Sequence, residues 1–298
     1  MPTLRFDWHG TGESAGSDMD PARMLAWLES LRGAIQRLRQ ETGVSEIVLV
    51  GLRLGATLAA LIAEEMDDIE GLALLAPVVS GKSYLREMRA LSAFGSQKTE
   101  TTDNSLEAAG FVLTERTLAE MRGIDLVAGL RRRPAGRVLL MHRPDMPADG
   151  KLAERLVQLG ATVEQGDIPG YGDFVCDSQW SRAPRQAFDR LLAWLKQGAR
   201  ARALQLGMPM PTQIRVPGAV EEPVALKGRA ALMATSCTPV SHDFSRPAIL
   251  FLNTGWYARM GANRMAVTLA RRYAQQGIAS LRVDLAGVGD SDAAPEAD

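Results

Sequence analysis

The stretch with the most telling chemical spacing is Gly51-Leu52-Arg53-Leu54-Gly55, two glycines around a central side chain. The apolar, β-branched run Glu46 to Val50 precedes it and reads as a buried strand. The alanine-rich run Ala56 to Met66 follows directly and reads as a helix. Strand, G-x-nucleophile-x-G, helix is the pattern of a nucleophile elbow. Flanking glycines permit a sharp turn, the middle side chain is pushed clear of the sheet, and helix amides face an oxyanion. Here the centre is Arg53, whose guanidinium stays protonated and offers no lone pair. It cannot act as nucleophile or base. It can bind a carboxylate or phosphate, or pair with a neighbouring acid, for which Asp145 and Asp173 are the candidates.

Other reactive side chains are few. Histidines number three, at His9, His142 and His242. His142 reads first as a satisfied surface histidine, and His9 lies in a glycine-rich turn. Cys176 and Ser178 follow Asp173 without an elbow-like setting. Gly10-Thr-Gly12 and Gly287-Val-Gly289 invite a phosphate reading, but neither precedes a P-loop lysine nor completes G-x-G-x-x-G. Turn geometry explains them better. Arg131-Arg-Arg133 reads as a solvated corner.

Composition narrows the class further. Of 298 residues, 34 are Lys or Arg and 35 are Asp or Glu, for a net charge of −1, which argues against a general nucleic-acid binder. No apolar run reaches the roughly 18–20 residues that span a bilayer, and the N-terminus lacks a signal pattern. Two cysteines, Cys176 and Cys237, make neither a disulfide framework nor a zinc cluster. A cytoplasmic address is the default expectation. No cofactor or metal is implied.

The elements that must position Arg53 alternate. A strand at Thr3 to Phe6 enters a glycine-rich turn, and Asp20 with Pro21 is expected to open a helix that Gly43 ends. Further strands are expected at Ile69 to Leu75, Arg137 to Met141 and Ala161 to Gln165, with helices near Lys151–Leu159 and Pro184–Lys196. Alternation of this kind implies a mostly parallel sheet with helices on both faces. Residues 80–130 break the pattern and read as a helical cap insertion. Residues 198–218, with Pro209 and Pro211, read as a connector. Beyond it, strands recur at Val220–Leu226, Ala230–Thr235 and Ala248–Leu252, then a helix over Asn263–Gln275. One internal echo stands out. Leu4-Arg-Phe-Asp-Trp-His-Gly-Thr-Gly-Glu-Ser14 matches Leu281-Arg-Val-Asp-Leu-Ala-Gly-Val-Gly-Asp-Ser291 in Leu, Arg, Asp, both Gly and Ser.

On these segments the chain resembles the α/β-hydrolase superfamily, in its serine aminopeptidase or acyl-hydrolase-like branch. The resemblance implies an α/β fold with a cap. It places Arg53 at the nucleophile position, Asp145 at the acid position and Asp173 where the family has its histidine. The acid is supplied; the nucleophile and the base are not. Asn253-Thr254-Gly255-Trp256 is similar to the loop that gives one oxyanion amide, so Arg53, Leu54 and these four are the expected ligand contacts. Residues 1–197 look like the back of one hydrolase unit lacking its first strands. Residues 219–298 look like the front of a second, and are expected to stand apart or to complete the first sheet. Tandem-truncated and permuted arrangements both fit, as does a homodimer or strand-swapped assembly. Two functions follow. The favoured one is a catalytically degenerate hydrolase-like protein that binds a small acyl or anionic ligand or a partner. The alternative is an active ester, thioester or amide hydrolase whose nucleophile and base come from unusual positions or from a missing part of a tandem protein.

Overall fold

The computed structural model describes residues 2–94, 104–108, 111–146, 150–176, 180–198, 213–228, 230–241, 245–253, 255 and 257–293. The chain divides into two units: residues 1–8 with 18–208, and residues 9–17 with 209–298.

In the first unit the expected opening strand is absent. Residues 2–8 carry no strand, and Leu4 and Phe6 are exposed. A strand needs a neighbour to complete its ladder, and none of the sheet strands pairs with this segment. Helix α1 (Arg23–Thr42) buries Met24, Trp27, Leu31 and Ile35 at helical spacing. Its start differs from expectation. Ala22, in a left-handed conformation and without a side-chain cap, stands at the N-terminus instead of Asp20. Gly43 ends it as expected, at φ 66°, donating its N–H to the Arg39 carbonyl.

The elements that follow are β1 (Ile47–Leu52), α2 (Leu54–Glu65), β2 (Ile69–Leu75), α3 (Gly81–Phe94), β3 (Leu106–Ala108), β4 (Phe111–Leu113), α4 (Glu115–Arg122) and α5 (Leu126–Gly129). Then come β5 (Arg137–His142), α6 (Lys151–Gln158), β6 (Thr162–Asp167), α7 (Tyr171–Phe174) and α8 (Arg185–Gly198). Strands β1, β2, β5 and β6 lie side by side in that order, all parallel.

Side-chain alternation splits the core between the two faces of this sheet. Leu72, Leu74, Val138 and Leu140 join α1, α2 and α6 on one face. Ala73, Leu75, Leu139 and Met141 join Trp194 of α8 and Tyr171 on the other. A third cluster seats α3 and α4 through Leu85, Leu118 and Met121 against Met24, Trp27 and Leu58. This is the segment expected as a cap. It also holds the β3–β4 hairpin, which the sequence reading did not foresee.

The second unit contains β7 (Ile214–Val216), β8 (Ala219–Leu226), β9 (Leu232–Pro239), β10 (Ile249–Leu252), α9 (Met265–Ala274) and β11 (Ser280–Val283). Its sheet runs β10-β11-β9-β8-β7. These strands pair among themselves. The sheet is also mainly antiparallel, since only β10 and β11 run parallel. The reason is local. Strands β8 and β9 pair over their whole length as neighbours in sequence, and β11 returns antiparallel beside β9. Strand β7 lies inside the expected connector, joined to β8 by a turn at Gly218, φ 78°.

Candidate functional site

The carboxyl ends of the parallel strands build the site in the first unit. The Arg53 N–H donates to the Leu75 carbonyl at 2.9 Å, the Ala76 N–H to Met141 at 2.7 Å and the Ile168 N–H to His142 at 2.9 Å. Each strand end is thus tied to the next. Arg53 itself sits between β1 and α2 at φ 52°, ψ −123°. That is a strained conformation for a residue with a Cβ, costing on the order of 1–3 kcal/mol. Its carbonyl already accepts the first bonds of α2, from Ala56 and Thr57. The two glycines are not equivalent. A Cβ on Gly51 would lie 2.5 Å from the Ala56 backbone, whereas one on Gly55 would meet nothing nearer than the Trp8 ring at 3.9 Å. Close strand–helix approach requires Gly51; nothing steric requires Gly55.

Arg53 does not pair with Asp145 or Asp173. Its guanidinium forms an ion pair with Glu87 of α3 and lies over the Tyr84 ring, 5.5 Å from its centroid. The other oxygen of Glu87 accepts from Arg143 Nη1 at 2.7 Å. Arg143 in turn grips Asp145 bidentately, Nε to Oδ1 at 2.8 Å and Nη2 to Oδ2 at 2.6 Å, and stacks on Tyr171 at 5.1 Å. An alternating chain of charges, Asp145–Arg143–Glu87–Arg53, therefore connects Asp145 to the elbow.

The protonation states follow the contacts. Hydrogen bonds from Arg143 hold the Asp145 carboxyl below its usual range. The same bonds raise the pKa of Arg143. Burial raises the pKa of the Tyr84 and Tyr171 hydroxyls, with the nearby arginines opposing. Both phenols remain neutral and the Arg143 guanidinium remains charged.

A cavity of about 400 Å³ opens beside this chain. Arg53, Glu87 and Arg143 form its polar corner, and Val78, Leu140 and Leu152 contribute to its apolar wall. Thr57 fixes that wall. Its buried hydroxyl donates to the Val78 carbonyl at 2.9 Å and accepts from the Val78 N–H at 3.0 Å. The volume lies in the usual range of about 300–1,000 Å³ for small-molecule sites.

Of the remaining candidates, His142 also lines this cavity, whereas Asp173 and Leu54 do not. Asp173 is exposed on α7, and its carbonyl accepts from the Arg182 N–H at 2.9 Å and the Cys176 thiol at 3.1 Å. His142 Nε2 lies 3.2 Å from Gln165 Oε1. Leu54 opens α2 and packs partly buried in the cluster of Leu58 and Leu85. Ser178, His242, Thr254 and Trp256 lie outside the described residues. The sequence reading missed Glu87, Tyr84 and Arg143. Tyr84 and Glu87 share a helix face by their spacing of three, and Arg143 stands two residues before the expected acid.

Asn253 and Gly255 belong to the second unit. The Asn253 Nδ2 donates to the Tyr257 carbonyl at 2.7 Å, and its Oδ1 is buried without a hydrogen-bond partner. This unit also explains the internal echo. Gly287 N–H donates to Asp292 and Ser291 N–H to Val288; at the equivalent places Gly10 donates to Ala15 and Ser14 to Thr11. The paired glycines share φ values, 75° and 74° for Gly10 and Gly287, 49° and 58° for Gly12 and Gly289. A Cβ on Gly289 would fall 2.3 Å from Asp284 Oδ2, a carboxylate oxygen that accepts from the Asp290 N–H. The Ser291 hydroxyl donates to the Asp284 carbonyl and accepts from the Met233 N–H. The repeated residues are those that close this turn upon itself, which accounts for the motif without a phosphate.

Arginines hold the N-terminal copy of that turn. Arg264 donates to the carbonyls of Gly12, Ser14 and Gly16, and Arg271 to those of Glu13 and Ser14. The Glu13 carboxylate meets Arg259 at 2.6 Å and Arg282 at 3.1 Å.

A parallel sheet whose strand ends converge on a strained strand–helix elbow beside a pocket is the arrangement of an α/β hydrolase. Residues 2–114 match the model of the family described as serine aminopeptidase, S33, which supports an α/β-hydrolase assignment for that part of the chain. Similar solved structures include Est1E from Butyrivibrio proteoclasticus with ferulic acid bound, 18% identical at a TM-score of 0.48, covering 64% of this chain and 74% of that one. A putative hydrolase from Agrobacterium vitis S4 is 21% identical at a TM-score of 0.42, covering 65% and 74%. An esterase from Pyrococcus furiosus is 14% identical at a TM-score of 0.41, covering 63% and 68%. No curated protein matches the chain. Among the described residues no helix is long and apolar enough to cross a membrane.

Proposed function

We propose that this chain is a binding protein on an α/β-hydrolase scaffold, catalytically degenerate at its elbow, which takes a small acyl or anionic ligand in the pocket beside Arg53. One observation carries the reading. The position that presents a nucleophile in a working hydrolase presents a guanidinium, and that guanidinium is linked through Glu87 and Arg143 to the acid position. A cation held in a strained turn, at the mouth of a cavity with an apolar wall, is suited to recognising an anion. Catalysis would require a hydroxyl or thiol activated by a base, and the elbow supplies neither. A content of two cysteines in 298 residues supports a reducing, cytoplasmic setting.

The test is calorimetric titration of wild type and Arg53→Met with hexanoate and with inorganic phosphate. Charge-assisted hydrogen bonds are worth about 1.5–3 kcal/mol. Arg53→Met is therefore expected to weaken binding of the preferred anion by about 10- to 100-fold. Equal affinity in the two proteins would remove Arg53 from the site.

A further inference from the structure

We propose that Glu87 is a built-in stand-in for the ligand, and that the ligand it stands in for is an aliphatic monocarboxylate whose head group displaces it from Arg53 and Arg143. This inference rests on the binding reading above and makes its chemistry specific. The Glu87 carboxylate offers one oxygen to each guanidinium. Two cations converging on the two oxygens of one carboxylate define a carboxylate site, and in this structure a side chain fills it.

The two cations do not depend on Glu87 for their positions. Asp145 clamps Arg143 at two atoms, and Tyr171 stacks on it. Arg53 is anchored by the elbow backbone and lies over Tyr84. Glu87 is held less firmly. Its side chain is 33% exposed, against 20% for Arg53 and 18% for Arg143, and its partners are these two guanidinium groups. Ion pairs that water can reach are weak and exchange readily. The carboxylate can turn outward on α3 and leave a preorganised pair of donors behind.

The cavity selects the remainder of the ligand. Val78, Val79, Leu140, Leu152, Ala153 and Met146 form an apolar wall, and Ser80, Ser83, Tyr84 and His142 line the cavity besides. A hydrocarbon tail fits the apolar wall. Displacement by phosphate would leave the apolar wall unused.

The experiment is calorimetric titration of wild type, Glu87→Gln and Glu87→Ala with hexanoate, its neutral isostere hexanamide, and inorganic phosphate. Thermal midpoints confirm that each variant is folded. Both variants are expected to bind hexanoate at least tenfold more tightly than wild type, with hexanamide unchanged and phosphate weaker than hexanoate. Two variants keep the test decisive if one is unstable. Unchanged or weaker hexanoate binding in the variants, while Arg53→Met still loses affinity, would overturn the displacement and leave the binding reading intact. Stronger binding of phosphate than of hexanoate would overturn the ligand class. Absence of anion binding in every protein would overturn the binding reading itself, and this inference with it.

Discussion

Glu221→Gln is expected to destabilise the second unit by about 3–5 kcal/mol, the range for breaking a buried ion pair from one side. Glu221 is 1% exposed on β8 and Arg282 is 0% exposed on β11. Its Oε1 accepts from Arg282 Nη1 at 2.9 Å, and its Oε2 from Arg271 at 2.6 and 3.1 Å. Removing the carboxylate charge leaves the buried Arg282 with only Glu13, at 3.1 and 3.4 Å, and deprives Arg271 of its ion-pair partner. Hydrogen exchange on β8, β9 and β11 is the measurement of choice, because a chain of two units need not unfold in one step. A loss below about 1 kcal/mol would show that water reaches these groups. The neighbouring Cys237 reports on the same interior. Burial pushes its thiol up to about 11, so it is expected to resist alkylation at neutral pH while the exposed Cys176 reacts.

Trp194→Ala carries the second large effect, about 3–5 kcal/mol on the first unit. Trp194 is 2% exposed on α8 and fills the second face of the parallel sheet with Leu139 and Met141. The fit is close. A Cβ on Gly71 of β2 would lie 2.9 Å from the indole, and the Arg137 guanidinium stacks 4.4 Å from the ring centroid while paired to Glu70. Truncation therefore opens a cavity and removes a cation–π contact together. Leu192 on the same helix is 52% exposed. Leu192→Ala should stay within about 0.5 kcal/mol of wild type. Thermal unfolding of both variants checks this, and equal midpoints would contradict the packing described for α8.

What the sequence made legible follows from how local each determinant is. β2 and β5 are short, nearly continuous apolar runs, as strands buried on both faces must be, and the ranges of β1, β2 and β5 in the structure lie within a residue or two of expectation. The elbow was legible because Gly51 answers a backbone contact five residues away. Turn closure around Asp284 and Gly289 left a mark twice, since the bonds Gly287 to Asp292, Ser291 to Val288 and Asp290 to Asp284 each span only a few residues. Long-range pairings were not legible. Arg53 meets Glu87 across 34 residues and Arg143 meets Glu87 across 56, and nothing in a charge pattern chooses among 35 acids. The segment Thr3–Phe6 has the composition of a strand and lacks one in the structure, because strand formation depends on a partner as well as on propensity. The strands of the second sheet were recognised one by one, and their pairing was not encoded locally.

The central claim is that the elbow presents a cation and no nucleophile. Incubation with an activated fluorophosphonate, followed by intact-mass measurement, tests it most directly. The wild-type chain is expected to remain unmodified at 32.2 kDa and to leave p-nitrophenyl acyl esters intact. A stoichiometric adduct would contradict the account. The labelled residue would then be a nucleophile outside the elbow, and the hydrolase reading would replace the binding one.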